Sequence, residues 1–263
     1  MYEVIITRPR TLAEAIDLLG SDESQPLAGG QTLIPTMKQR LAAPETLVSL
    51  SGVKELAGIT RGDGEITIGA TATHAEVARE LADSYPALAA LAGNIGDPAV
   101  RNRGTIGGSL ANNDPAADYP AGALGGNATI ITNDREIPAD QFFGGMFTTA
   151  LLEGEIITAV KFPLPDAAAY AKFDQPASRF ALAGVFVARF GDVVRVAVTG
   201  ASEEGVFRWE AAEQALSGDF SAAALDGMKP DAVGMIGDLH GSPEYRAHLV
   251  GVMARRAVAV AAG

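Results

Sequence analysis

Apolar positions along this chain switch between helical and strand spacing, which predicts mixed rather than repetitive structure. Residues 4–6 form a short β-prone run. Leu12, Ala15, Ile16 and Leu19 then recur at helical spacing behind Thr11 and Glu14, so the pattern predicts a helix with a capping box, ended by Gly20. A short helix is predicted over 33–41, where Pro35 is tolerated only in the first turn. Residues 46–50 and 65–70 read as strands, with Ile66 and Ile68 on one face. Thr73 and Glu76 form a second capping box that starts a helix to about Leu81. His74 falls in its first turn and, without a carboxylate or metal partner, reads as structural. An Ala/Leu helix follows over 86–92.

Downstream, Asn133 and Asp134 separate β-prone 129–132 from 135–137, a hairpin signature. A strand over 155–162 is closed by Pro163 and Pro165, and the composition around 163–169 marks a boundary. Gly191 and Asp192 join strands 183–190 and 193–199 in another hairpin. Helices are expected over 208–216 and 243–261, the second with Ser242 at its N-cap and Pro243 at N1. Runs of strands followed by helices indicate the α+β class.

Two glycine-rich segments interrupt this order. LAGGQTLIP (27–35) and RNRGTIGGSLANNDPAAD (101–118) each pair glycines, Gly29 with Gly30 and Gly107 with Gly108, and follow them with hydroxyl or amide residues. Paired glycines suit a backbone that approaches a ligand closely or takes positive φ. Outward N–H groups at such turns form anion-binding nests, and a helix starting there adds its positive end. Thr32, Thr105 and Ser109 are then placed to donate to phosphate oxygens, so the pair reads as a diphosphate site. The second segment is too rich in Gly, Asn, Asp and Pro to be regular and reads as a long functional loop. No GxGxxG follows a first strand and no GxxxxGK[ST] occurs, so a Rossmann site and a P-loop are disfavoured.

Composition narrows the chemistry. The 263 residues suffice for one large or two modest domains. A formal charge of −12 with no basic run argues against nucleic acid as a partner. Cysteine is absent, so this chain offers no thiolate for an iron–sulfur cluster and no disulfide. His74, His240 and His248 form no HExxH pattern, and no metal site is expected. There is no apolar run of about eighteen residues, and residues 1–10 lack the apolar stretch of a signal peptide. No paired-carboxylate site or activated nucleophile stands out, so no catalytic side chain is assigned.

The two glycine motifs, their order and the intervening IGATATHAEVA (68–78) resemble the FAD-binding medium subunit of the molybdenum hydroxylases. Aerobic carbon monoxide dehydrogenase is the nearer likeness and the flavin region of xanthine dehydrogenase the more distant one. The resemblance continues through LLEGEIITAVKFPLP (151–165), KFDQPASRFALAGVFVA (172–188) and EYRAHLVGVMARRAV (244–258), so it covers nearly the whole chain. It implies an FAD domain of the vanillyl-alcohol oxidase (PCMH) type over 1–165, in subdomains of about 1–55 and 56–165. A smaller α+β domain with an antiparallel sheet and helices, of the carbon monoxide dehydrogenase flavoprotein type, is implied over 166–263.

Carried over residue by residue, the resemblance has Ala28, Gly29, Gly30, Gln31 and Thr32 hold the FAD diphosphate from one subdomain. Thr105, Ile106, Gly107, Gly108 and Ser109 close on it from the other. Asp118 accepts from a ribose or ribityl hydroxyl, its bland alternative being a solvated loop acid; Asp114, before Pro115, is also an ordinary turn starter. Ile157 and Lys172 fall near positions that line the flavin or adenine. Phe180 aligns with a tyrosine beside the isoalloxazine ring, keeping the stacking face without the hydroxyl, and Gln31 stands where a histidine is common.

The implied complex places a molybdenum–pterin dinucleotide in a large partner subunit and two [2Fe–2S] clusters in a small one, as a dimer of heterotrimers. This chain would take electrons from the clusters onto FAD and pass them to a quinone or oxygen. The expected location is the cytoplasm, either free or peripheral at the inner membrane face through the complex. A stand-alone FAD oxidase or reductase would need acid/base groups beside the flavin, and no convincing set occurs. A flavin-free scaffold would not need intact glycines and hydroxyls in both loops.

Overall fold

A computed structural model describes residues 1–21 and 23–263. Strands β1 (Ile5–Thr7), β2 (Ser24–Leu27) and β3 (Thr46–Ser49) form a parallel sheet in the order β1-β3-β2, joined through helices α1 (Leu12–Leu19) and α2 (Leu33–Lys38). The Thr11 hydroxyl caps α1 by accepting from the Glu14 N–H at 3.2 Å. The Glu14 carboxylate accepts from the Arg10 N–H at 2.8 Å instead of from Thr11, so only half of the expected capping box forms. The helix predicted over 33–41 stops at Lys38 because Arg40 takes φ 64°. N–H groups of Arg40 and Leu41 turn back to the carbonyls of Met37 and Thr36, a Schellman closure with arginine in the place usually held by glycine.

An antiparallel sheet follows in the order β4-β5-β10-β6-β7, from β4 (Ile59–Arg61), β5 (Glu65–Gly69), β6 (Thr129–Thr132), β7 (Glu136–Pro138) and β10 (Ile157–Pro163). Helices α3 (His74–Glu80), α4 (Pro86–Gly93), α5 (Pro98–Arg101), α6 (Ile106–Asn112) and α7 (Asp118–Gly125) lie between β5 and β6. Helix α8 (Ala139–Phe142) and the small hairpin of β8 (Phe143–Gly145) and β9 (Thr148–Thr149) precede β10. Strand β10 starts at Ile157, later than expected, because Glu155 turns away to pair with Arg135 at 3.0 Å. The Thr73–Glu76 capping box forms in full.

The segment 101–118, expected to be irregular, contains the whole of α6, with the end of α5 and the start of α7 at its margins. Thr105 caps α6 by accepting from the Gly108 N–H, and Asn113 ends it in the left-handed region at φ 42°. Each interior glycine costs a helix about 1 kcal/mol, but the fold offsets this at Gly107, where a Cβ would come within 2.6 Å of the Ala70 Cβ. The Asn113 side chain donates to the carbonyls of Gly145 and Thr148, both at 2.8 Å, fastening the β8–β9 hairpin to α6.

The last sheet, β11-β12-β13-β14, comprises β11 (Ala167–Asp174), β12 (Ala181–Phe190), β13 (Val193–Thr199) and β14 (Phe207–Arg208), with α9 (Glu210–Gly218) and α10 (Pro243–Ala261) beyond it. Helix α9 lies slightly later than its expected span, whereas α10 matches it with Ser242 as N-cap. Strand β11 is unforeseen, since AAAYAKFD has little β propensity; pairing along β12 imposes it. Val185 and Val187 face a core shared with α9 and α10, while Phe186 and Ala188 face α4 and α7 in the core of the five-stranded sheet. Burial on both faces explains the unbroken apolar run of β12. Among the described residues, no helix is long and apolar enough to cross a membrane.

Helix α7 is buried throughout and meets the last sheet at Gly125, where a Cβ would lie 2.9 Å from Phe186 Cδ1 and 3.2 Å from Ala197 Cβ. Gly125→Ala is therefore expected to destabilise the chain by about 1–3 kcal/mol through overpacking, read as a lower denaturation midpoint at unchanged slope. His74 is buried with its ring 5.3 Å from that of Tyr119. Burial, with the charge of Arg101, holds the imidazole down to about 4. The folded chain thus binds fewer protons than the unfolded chain between about pH 6.5 and 4. The contribution of His74 is complete above that window and is lost as pH falls through it, by on the order of 3 kcal/mol. Urea titrations across this range should show His74→Gln losing less stability than the wild type.

Candidate functional site

A cavity of about 650 Å³ opens between the three sheets, within the range of about 300–1,000 Å³ common to small-molecule sites. Its first wall is the turn from β2 into α2, carrying Ala28 to Thr32. Its second is the start and one face of α6, carrying Thr105, Gly108 and Ser109. Leu151, Ile156 and Ile157 supply an apolar side, and Ser178, Arg179 and Phe180 reach over from the turn between β11 and β12.

The two glycine motifs touch each other. A Cβ at Gly29 would collide with the Arg103 carbonyl and lie 2.8 Å from Gly104 Cα, and a Cβ at Gly108 would lie 3.7 Å from that of Ala28. Glycine at 29 is therefore required by main chain from the other motif, and at 107 by Ala70, rather than by a ligand. Gly30 does take positive φ, at 70°.

The polar groups facing the cavity are also divided differently from expectation. In the second motif the N–H groups of Ile106 and Gly107 donate to the carbonyls of Ala72 and Ala70, and those of Gly108 and Ser109 to Thr105. No N–H nest remains there; the wall offers the hydroxyls of Thr105 and Ser109. In the first motif the N–H groups of Gly29, Gly30, Gln31 and Thr32 donate to no acceptor among the described residues. Gly30 is left-handed and Thr32 right-handed, so these N–H groups sit in a turn of the kind that binds anions. One side thus presents main-chain donors and the other presents hydroxyls.

Asp118 lines the cavity but is no solvated loop acid. Its Oδ1 accepts from the Tyr170 hydroxyl at 2.5 Å and pairs with Lys172 Nζ at 3.1 Å, while Oδ2 has no partner among the described residues. Burial pushes its carboxyl up, opposed by the Lys172 ammonium and the Tyr170 hydroxyl. Tyr170 reaches it across Gly184, where a Cβ would strike the phenol oxygen. Lys172 does not line the cavity. Its fully buried ammonium is enclosed by Asp118, Asp174 and the carbonyls of Asn94 and Arg179. Ile106 also points away, into the core. The other candidates, Ile157 and Phe180 included, line the cavity.

Several further groups line the cavity. Arg179 has φ 62°, and its carbonyl is gripped by Lys172 at 2.9 Å, so the turn holding half-exposed Phe180 is pinned from behind. Asp114 lines the cavity while its Oδ1 accepts from the Ala116 N–H at 2.8 Å, the expected Asx turn; burial pushes its carboxyl up. Glu155 is held down to about 2 by Arg135, with the Leu152 N–H and Thr132 hydroxyl also bound to it. His74 reaches the cavity from the start of α3, and Gly104 beside it is the one sequence signal that could have revealed this.

Comparison with known proteins agrees with this geometry. Residues 2–165 match the family described as FAD binding domain in molybdopterin dehydrogenase. The nicotine 6-hydroxylase medium subunit of Paenarthrobacter nicotinovorans is 36% identical over 95% of this chain and 94% of its own. The carbon monoxide dehydrogenase medium chain of Afipia carboxidovorans is 34% identical over the same shares. Among solved structures, reconstituted CO dehydrogenase from Oligotropha carboxidovorans superposes with a TM-score of 0.89 at 32% identity, covering 99% of both chains. A double-loop cavity, a family match over most of the chain and near full-length relatives converge: the chain belongs to the FAD-binding medium subunits of the molybdenum hydroxylases.

Proposed function

We propose that this chain is the electron exit of its complex, taking electrons from [2Fe–2S] clusters of a small partner subunit and passing them through FAD to a quinone or oxygen. The observation that carries the reading is the cavity, where main-chain donors of Gly29 to Thr32 face the hydroxyls of Thr105 and Ser109. That donor set suits a diphosphate, and the apolar side around Ile157 and Phe180 suits a flat ring. Bound FAD supplies the redox chemistry, including one-electron steps. The protein fixes its position and surroundings. With no cysteine in the chain, thiolate-held clusters must reside in a partner.

Residues 28–32 and 105–109 hold the diphosphate in this reading, with Ile106 acting through the core rather than by contact. The free Oδ2 of Asp118 accepts from a ribose or ribityl hydroxyl, and Lys172 backs that acid and the Phe180 turn. Residues 1–165 form the FAD-binding unit and 166–263 the unit that completes it, in a dimer of heterotrimers with a molybdenum-containing large subunit.

The test is an absorption spectrum of the natively purified protein with its co-purifying chains, with released cofactor identified chromatographically. FAD together with iron–sulfur absorption is the expected result; FAD with no cluster-bearing partner would overturn the electron-exit role. Gly29→Ala, which forces the two motifs apart, should lower FAD affinity roughly a hundredfold in a chain of unchanged circular dichroism.

A further inference from the structure

His74 sits at the seam of the two motifs without a partner on either ring nitrogen among the described residues. Nδ1 is sealed from solvent, and the nearby Tyr119 ring carries a hydroxyl that is also unpaired. Nε2 lies against Gly104, so close that a Cβ there would collide with it. Gly104 is not among the residues at positive φ, so its missing side chain is explained by room for the imidazole rather than by backbone conformation. Gly104 in turn abuts Gly29, and both line the cavity with His74. The ring edge therefore emerges where the first motif presents its unpaired N–H groups.

Buried polar groups are nearly always hydrogen-bonded. A residue given such specific room, yet left unpaired in a donor-rich wall, is built for a ligand acceptor. We propose that His74 contacts the cofactor, its Nε2–H donating to a phosphate oxygen of the diphosphate held between the two motifs. The inference rests on the flavin reading above. A neutral imidazole with its proton on Nε2 is a donor on the cavity side and an acceptor on the core side.

The test uses the native complex, stripped of flavin and reconstituted with FAD. In wild-type protein with 15N-labelled histidine, the Nε2 resonance of His74 should move on adding FAD, and an unmoved resonance overturns the contact. In His74→Leu, FAD affinity measured by fluorescence quenching should fall roughly tenfold, the loss of one hydrogen bond to a charged group. One 31P resonance of the bound diphosphate should also shift. His74→Gln, which keeps a side-chain N–H, should recover much of the affinity. Wild-type affinity with unshifted 31P signals in a folded His74→Leu complex would sink the inference while leaving the flavin reading intact. Failure of the wild type itself to bind FAD would sink both.

Discussion

Main chain meets main chain at Gly29 and Arg103–Gly104, and the cavity takes its shape from that contact. One partner leaves a parallel sheet and the other precedes a helix packed beneath an antiparallel one, so the contact joins structures with separate folding requirements. Because each motif satisfies its hydrogen bonds differently, the contact also fixes which groups are left over. The second motif is consumed by the Thr73–Thr105 bridge and the cap of α6, whereas the N–H groups of the first meet no acceptor among the described residues. Donor groups therefore arise on one side from main chain and on the other from side chains.

A second constraint lies behind the cavity. Lys172 is enclosed by two carboxylates and two carbonyls from the start of α7, the end of α4 and the turn after β11. Removing one partner of such a buried pair is far more damaging than its net contribution suggests, because the other charge is left uncompensated. The cluster ties the acid end of the second motif to the turn that carries Phe180. It positions both without entering the cavity.

Most regular elements were legible in the sequence because their signals are local. Ser242 and Pro243 set the start of α10, Thr73 and Glu76 that of α3, and Gly191 with Asp192 the β12–β13 turn. The segment 101–118 misled because glycine content outweighed its own helix signals: Thr105 at the N-cap, Asn113 at the end and Pro115 just beyond. Strand β11 was hidden by alanine, since its conformation comes from its neighbour. For the cavity, sequence marked both motifs and Asp118 but not the distinction between lining and supporting residues. Lys172 and Ile106 differ from their neighbours only in direction, which depends on packing. That His74 reaches the cavity was hidden because Gly104, which leaves room for its ring, is thirty positions away.

The double-sided burial of β12 has a consequence for how this kind of chain can change. Phe186, Ala188 and Ala197 are part of the same core as the five-stranded sheet, although they lie beyond the residues that match the FAD-binding family. The seam near residue 165 is thus a seam in sequence but not in the interior. An exchange of modules there must preserve the complementary faces of α7 and β12, so the two stretches are constrained to diverge together, with Gly125 and Phe186 as the pair most exposed to mismatch.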